Sequence, residues 1–164
     1  MNVSGEPEKR FVVDVMLGKL ARWLRVLGFD ARTQHLQNRS QVESLVAGGL
    51  IPVTRKESLR EVPGVVFIEN DAGFEQVKEL VSRLHISKRE FRLFTRCNVC
   101  NAELDLIRRE EAFGSVPDFV FETAADFRKC PKCGRVYWAG SHRGRMLDKL
   151  ESLGEWDSRE EEID

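Results

Sequence analysis

The chain has 164 residues, 41% of them apolar, and a formal net charge of -1. Such a length and apolar share suit one folded domain, or one domain with a small module, and exclude a disordered chain. The near-zero charge excludes bulk attraction to nucleic acid, and no stretch is long and apolar enough for a membrane span. The run Met1 to Arg10 is polar, with no apolar export segment, so a cytoplasmic protein with reduced thiols and no membrane partner is expected.

Phe11-Val12-Val13 reads as a buried strand ending at Asp14, and the apolar residues of Met16 to Leu27 then recur at helical spacing. Gly28 stops that helix, and Phe29 to Thr33 forms the next strand. Ser40 is placed to cap a helix over Gln41 to Ala47, which Gly48-Gly49 ends. Leu50 to Thr54 is a strand, Glu57 to Arg60 at most a short turn, Val65 to Ile68 a strand, and Phe74 to Leu84 a helix with one apolar face. Strands alternating with helices predict a parallel sheet with both faces covered. Beyond residue 90 the character changes to short strands and turns, and His142 to Leu153 reads as a closing helix. The expected organisation is a flexible N-terminus over 1–10, an α/β domain over 11–90, a metal-bound module with its closing helix over 91–154, and an acidic tail over 155–164. With that tail set aside the rest of the chain is net basic.

Cys97 with Cys100, and Cys130 with Cys133, form two Cys-x-x-Cys pairs, each with turn-forming neighbours that turn backbone amides toward sulfur. Four thiolates suit tetrahedral zinc, and the absence of a secretion signal argues against disulfides or a lone redox pair. A closed four-cysteine site holds a fold and leaves no open coordination position for chemistry. The long insert from Asn101 to Lys129 is expected to carry its own hairpin.

Ligands of an open parallel sheet gather at the carboxyl ends of its strands, which draws attention to Asp14 after the first strand and to Glu69 and Asp71 after the last. Carboxylates converging there can hold a divalent cation that activates water against a phosphodiester. The alternative is that Asp14 and Asp71 cap the helices that follow them.

The stretch from Phe11 to Asp30, followed by Thr54-Arg55, resembles the RNase domain found at the C-terminus of Mut-seven exonucleases and as a stand-alone prokaryotic protein. Phe94 to Asn101 and Cys130 to His142 resemble its zinc-ribbon segment, so the similarity covers residues 11 to about 153. The resemblance implies a PIN-like three-layer α/β/α domain with a parallel sheet, a C-terminal zinc ribbon with a closing helix, and a ribonuclease activity dependent on Mg²⁺ or Mn²⁺. It implies catalytic roles for Asp14, with Glu69 or Asp71 where a late acidic pair is expected. Two positions depart from the pattern: Asn38-Arg39-Ser40 stands where an acid begins the second helix, and Lys56 stands where an Asp follows Thr-Arg. Glu43 and Glu57 are the nearest substitutes.

Two readings of the centre stay open. In one, the reduced acid set still cleaves RNA. In the other, the Lys56 ammonium, unless it simply points to solvent from its loop, lies beside Asp14 and Asp71, replaces the metal by a fixed charge, and leaves a module that binds RNA or a protein partner without turnover. Arg22, Arg55 and Lys56, with Arg135 and Arg145 in the ribbon, are the expected nucleic-acid contacts. Lys19 and Arg25 are either further contacts or a solvated helix face. Tyr137 and Trp138 supply rings for stacking, although one of them should pack inward, and His142 is expected to be packed. The sequence leaves the oligomeric state open.

Overall fold

The structure, a computed structural model, describes residues 7–153. The expected acidic tail, and residues 1–6 of the expected flexible N-terminus, lie outside the described residues.

The chain divides into two compact units, Met1–Asn101 and Ala102–Asp164. In the first, β1 (Arg10–Asp14) runs through a 3-10 turn (Val15–Leu17) into α1 (Gly18–Val26). Then come β2 (Asp30–Gln34), α2 (Arg39–Ala47), β3 (Ile51–Thr54), a 3-10 turn (Glu57–Leu59), β4 (Val66–Phe67) and α3 (Gly73–Arg83). The sheet order is β2-β1-β3-β4, and every neighbouring pair is parallel. The connection through α1 leads outward from β1 to β2, whereas the one through α2 crosses back over β1 to β3. The right-handed rule for such crossovers therefore places the two helices on opposite faces.

Side chains alternate along β1 and serve both faces. Val12 packs with Leu36, Val42, Leu59 and Val62. The Phe11 ring meets Phe29 edge-on at 5.5 Å, and Trp23 of α1 meets Phe74 of α3 at 5.0 Å. The cap of α2 differs from the expected one: Asn38, in an extended conformation, accepts the Gln41 N–H at 2.9 Å, and Ser40 lies inside the helix. The residue before the first helical turn must be extended for its side chain to reach back to the free amides, and here that residue is Asn38.

The first unit reaches past residue 90 and takes in the first cysteine pair. The Arg92 N–H donates to Leu27 O at 2.8 Å and the Phe94 N–H to Val26 O at 2.9 Å, so this segment lies along the end of α1. Gly28 permits the approach: its φ is +97°, and a Cβ there would sit 2.3 Å from Arg92 O.

In the second unit β5 (Asp105–Ile107), β6 (Phe127–Lys129) and β7 (Val136–Trp138) form an antiparallel sheet in that order. The insert between the cysteine pairs carries the expected antiparallel pair, β5 with β6, and α4 (Arg109–Ala112) and α5 (Asp118–Thr123) lie in the connection between the two strands. Three short strands have too little apolar face to stand alone. Ala112 and Ala124 cover Phe127, with Ile107, Val116, Val120, Val136 and Trp138 packed around them. Trp138, one of the two rings read as stacking candidates, is therefore the one that packs inward. The closing helix forms as α6 (Ser141–Glu151); Leu150 and Leu153 are buried, while His142 is exposed rather than packed.

Candidate active-site edge and metal centre

From β1 the chain turns to one side of the sheet and from β3 to the other, so the crevice beyond the carboxyl ends of these two strands is the topological switch point. Asp14 and Thr54 meet there. The register pairs Val13 with Val53, and one residue on, the Thr54 hydroxyl donates to Asp14 Oδ2 at 2.7 Å, with both residues 0% exposed. Thr54 Oγ1 in turn accepts the Lys56 N–H at 3.0 Å, which fixes the hydroxyl. Asp14 Oδ1 is buried and has no hydrogen-bond partner. An unsatisfied polar atom of this kind costs about 1–3 kcal/mol, so the fold holds this carboxylate at a penalty. Asp14 makes no capping bond to the helical turn after it. At the start of α3 the cap position is Ala72, with no side-chain bond, so neither Asp14 nor Asp71 is explained as a cap.

The other expected acids are placed differently. Glu69 is exposed and pairs with the Arg60 guanidinium, with Arg83 at 3.9 Å. Asp71 is exposed and has no hydrogen bond or ion pair among the described residues. The two acids read as substitutes are held in surface pairs, Glu43 with Arg39 at 2.6 Å and Glu57 with Arg60 at 3.1 Å. Asp14, Glu69 and Asp71 do not form a compact three-acid group. Among the described residues the four cysteines are the only set of three or more His, Cys, Asp or Glu with ligand atoms that close together.

Lys56 corrects an expectation. Its ammonium donates to Gln37 O at 2.9 Å and forms no ion pair with a described carboxylate, so the fixed-charge substitution beside Asp14 and Asp71 is not built. The free carbonyl just ahead of α2 captures the long side chain. Arg22 is exposed on α1, and Arg55, also exposed, donates to Glu69 O at 3.2 Å. Arg135 and Arg145 are exposed in the second unit.

Glu79, which the sequence reading passed over, shapes the loop after β4. Its Oε1 accepts the Glu69 N–H at 2.8 Å, and its Oε2 accepts from the Asn70 N–H at 3.1 Å and from Nδ2 at 2.9 Å. Burial pushes this carboxyl up, but those donors and Arg83 outweigh it and hold the pKa below its ordinary value. An acid mid-helix offers no sequence signal that it will serve a loop ten residues earlier.

The Sγ atoms of Cys97, Cys100, Cys130 and Cys133 all lie within 4.8 Å of one another, so the group can hold a metal ion. The two pairs use the same turn. Cys100 N–H points at Cys97 Sγ at 3.3 Å and Cys133 N–H at Cys130 Sγ at 3.5 Å. Each turn closes on a left-handed residue, Asn101 with φ +65° and Gly134 with φ +78°. Asn101 accepts this strained backbone because its side chain is held, Oδ1 accepting the Ala31 N–H at 2.9 Å and Nδ2 donating to Asp30 at 2.7 Å.

Arg25 departs from its reading as a phosphate contact or solvated face. It is 7% exposed and donates to Ala31 O at 2.9 Å, Asn98 O at 2.9 Å and Val99 O at 3.2 Å, bracing the first cysteine turn from α1. Burial lowers the pKa of its guanidinium and the Arg22 charge adds to this, whereas the fields of Cys97, Cys100 and Asp30 oppose it.

No helix among the described residues is long and apolar enough to cross a membrane. A family model described as the Mut7-C RNAse domain matches residues 9–150. No curated protein and no solved structure matches the chain.

Proposed function

The chain belongs to the Mut7-C RNAse domain family, and from that premise we propose that it acts on RNA as a PIN-like, metal-dependent endoribonuclease centred on Asp14. The observation that carries the reading is the buried Asp14 Oδ1, left without a partner at the switch point while Oδ2 is fixed by Thr54. A carboxylate oxygen kept unsatisfied at a ligand-binding edge suits a cation better than it suits the core.

Asp14 and Asp71 are the residues that would hold Mg²⁺ or Mn²⁺, an ion that keeps several waters and takes one or two protein carboxylates. Such an ion, when bound, supplies a polarised water and shields the leaving oxygen of a phosphodiester. Thr54 sets the orientation of Asp14, Glu69 is a secondary acid occupied by Arg60, and Arg22, Arg55 and Lys56 position phosphate. In the same proposal the four cysteines hold one structural zinc in a ribbon over residues 91–154, where Arg135 and Arg145 are RNA contacts of the second unit. Such a site keeps its thiolates in a reducing cytoplasm.

A second reading, RNA binding without turnover, is favoured by the absence of a compact three-acid group among the described residues. The experiment is cleavage of labelled single-stranded RNA in Mn²⁺ and in Mg²⁺ by wild type, Asp14→Asn and Lys56→Asp, with gel-shift binding on the same samples. Cleavage by wild type that Asp14→Asn abolishes supports the nuclease. Retention without cleavage, with activity gained only in Lys56→Asp, supports the binding module. No retention and no cleavage rejects both.

A further inference from the structure

Directly after the buried Asp14 the chain exposes two large apolar side chains, Val15 at 53% and Met16 at 55%. Scattered apolar residues on a surface need no explanation, but these two are adjacent and stand at the carboxyl edge of a parallel sheet, beside an unpartnered buried oxygen. The same exposed face continues along α1 at helical spacing through Lys19 and Arg22. Both cations are exposed and neither pairs with an acid among the described residues. The start of α3 bounds this face, since a Cβ on Gly73 would lie 3.2 Å from Lys19 Cδ.

We infer that Val15 and Met16 form a shelf for an unpaired nucleobase, with Lys19 and Arg22 as the phosphate track beside it, so that the Asp14 edge takes single-stranded RNA in preference to duplex. The inference rests on the proposed action on RNA and narrows its substrate. An unpaired base has an open face whose burial against two apolar side chains is favourable, whereas an A-form duplex keeps its bases stacked inside and presents sugar and phosphate. The cations serve either form of RNA. The apolar shelf serves only the unpaired one.

The test is fluorescence anisotropy of the full chain with a labelled twelve-nucleotide oligouridylate, and with a labelled RNA duplex of the same length, over a KCl series. The expected result is tighter binding of the single strand by wild type. Val15→Ser/Met16→Ser should weaken single-strand binding about tenfold, the order of one lost base contact, and leave duplex affinity and the salt slope unchanged. Lys19→Gln and Arg22→Gln should each make the single-strand salt slope shallower by about 0.7. Circular dichroism of each variant confirms that it is folded, and Met16→Leu, which keeps the apolar surface, should restore binding. A Val15→Ser/Met16→Ser protein that binds the single strand like wild type, or loses single strand and duplex equally, overturns the shelf while leaving action on RNA standing. Failure of wild type to retain either RNA at low salt overturns the action on RNA and the shelf together.

Discussion

Thr54 and Asp14, forty positions apart in the chain, share a 2.7 Å hydrogen bond across the β1–β3 pair, and the bond satisfies only one of the two carboxylate oxygens. The register of two parallel strands brings them together, and both residues are buried.

Removing the charge from Asp14 should separate stability from activity. Asp14→Asn keeps the shape and drops a buried charge with an orphaned oxygen, so its urea midpoint should be equal to or above that of wild type while RNA cleavage is lost. Thr54→Val should go the other way, destabilising by about 1–3 kcal/mol because it strips the remaining partner from Asp14. A Thr54→Val protein as stable as wild type in urea would show that the bond does not contribute.

Glu79 should make stability depend on pH. Its folded pKa lies below the ordinary value of 4.5, so its contribution is fully present above that value and is lost as pH falls through the folded one. Stability of wild type and Glu79→Gln should therefore differ above about pH 5 and converge in acid. A difference that stays constant down to pH 2 in denaturant titrations would remove Glu79 as the source. Because Glu79 holds the Glu69 and Asn70 amides, the variant should also loosen the loop carrying Asp71, read as faster amide exchange at these positions.

Arg25→Met should destabilise by about 2–4 kcal/mol, since it removes the buried guanidinium that donates to the carbonyls of Ala31, Asn98 and Val99. Arg25→Lys should recover only part of this, because an ammonium lacks the planar fork that reaches three acceptors. Bound zinc should be lost from Arg25→Met at about tenfold lower chelator concentration, the usual scale for a residue that braces metal ligands.

Purified chain should contain about one zinc, and either chelation or Cys130→Ser should unfold the second unit while leaving the parallel sheet of the first largely intact. Metal analysis with circular dichroism and amide exchange reads this directly. Persistence of β5, β6 and β7 in metal-free protein would count against a structural metal.

Local signals carried much of the fold. Strand and helix periods placed β1 to β4, α1 to α3 and α6 to within a few residues, because apolar patterning and a glycine stop are properties of neighbouring residues. The cysteine pairs were equally legible, since a Cys-x-x-Cys turn is a local geometry. The cap of α2 is Asn38, two positions before the expected Ser40, because both residue types cap well and only backbone dihedrals choose between them. The helices α4 and α5 have no legible signal in the sequence because they are short and take their stability from packing around Phe127 rather than from their own pattern.

The sequence by itself determined the alternation that makes a parallel sheet, the four-thiolate set, and the placing of Asp14 at a strand end. Only the tertiary structure decided what each charged group meets: Thr54 for Asp14, the Gln37 carbonyl for Lys56, the cysteine turn for Arg25, and the loop after β4 for Glu79. The physical reason is range. Patterning acts over a few residues of chain, whereas the partner of a buried or half-buried polar group is chosen by strand register and helix packing among residues far apart in sequence, where burial makes every unmet hydrogen bond costly.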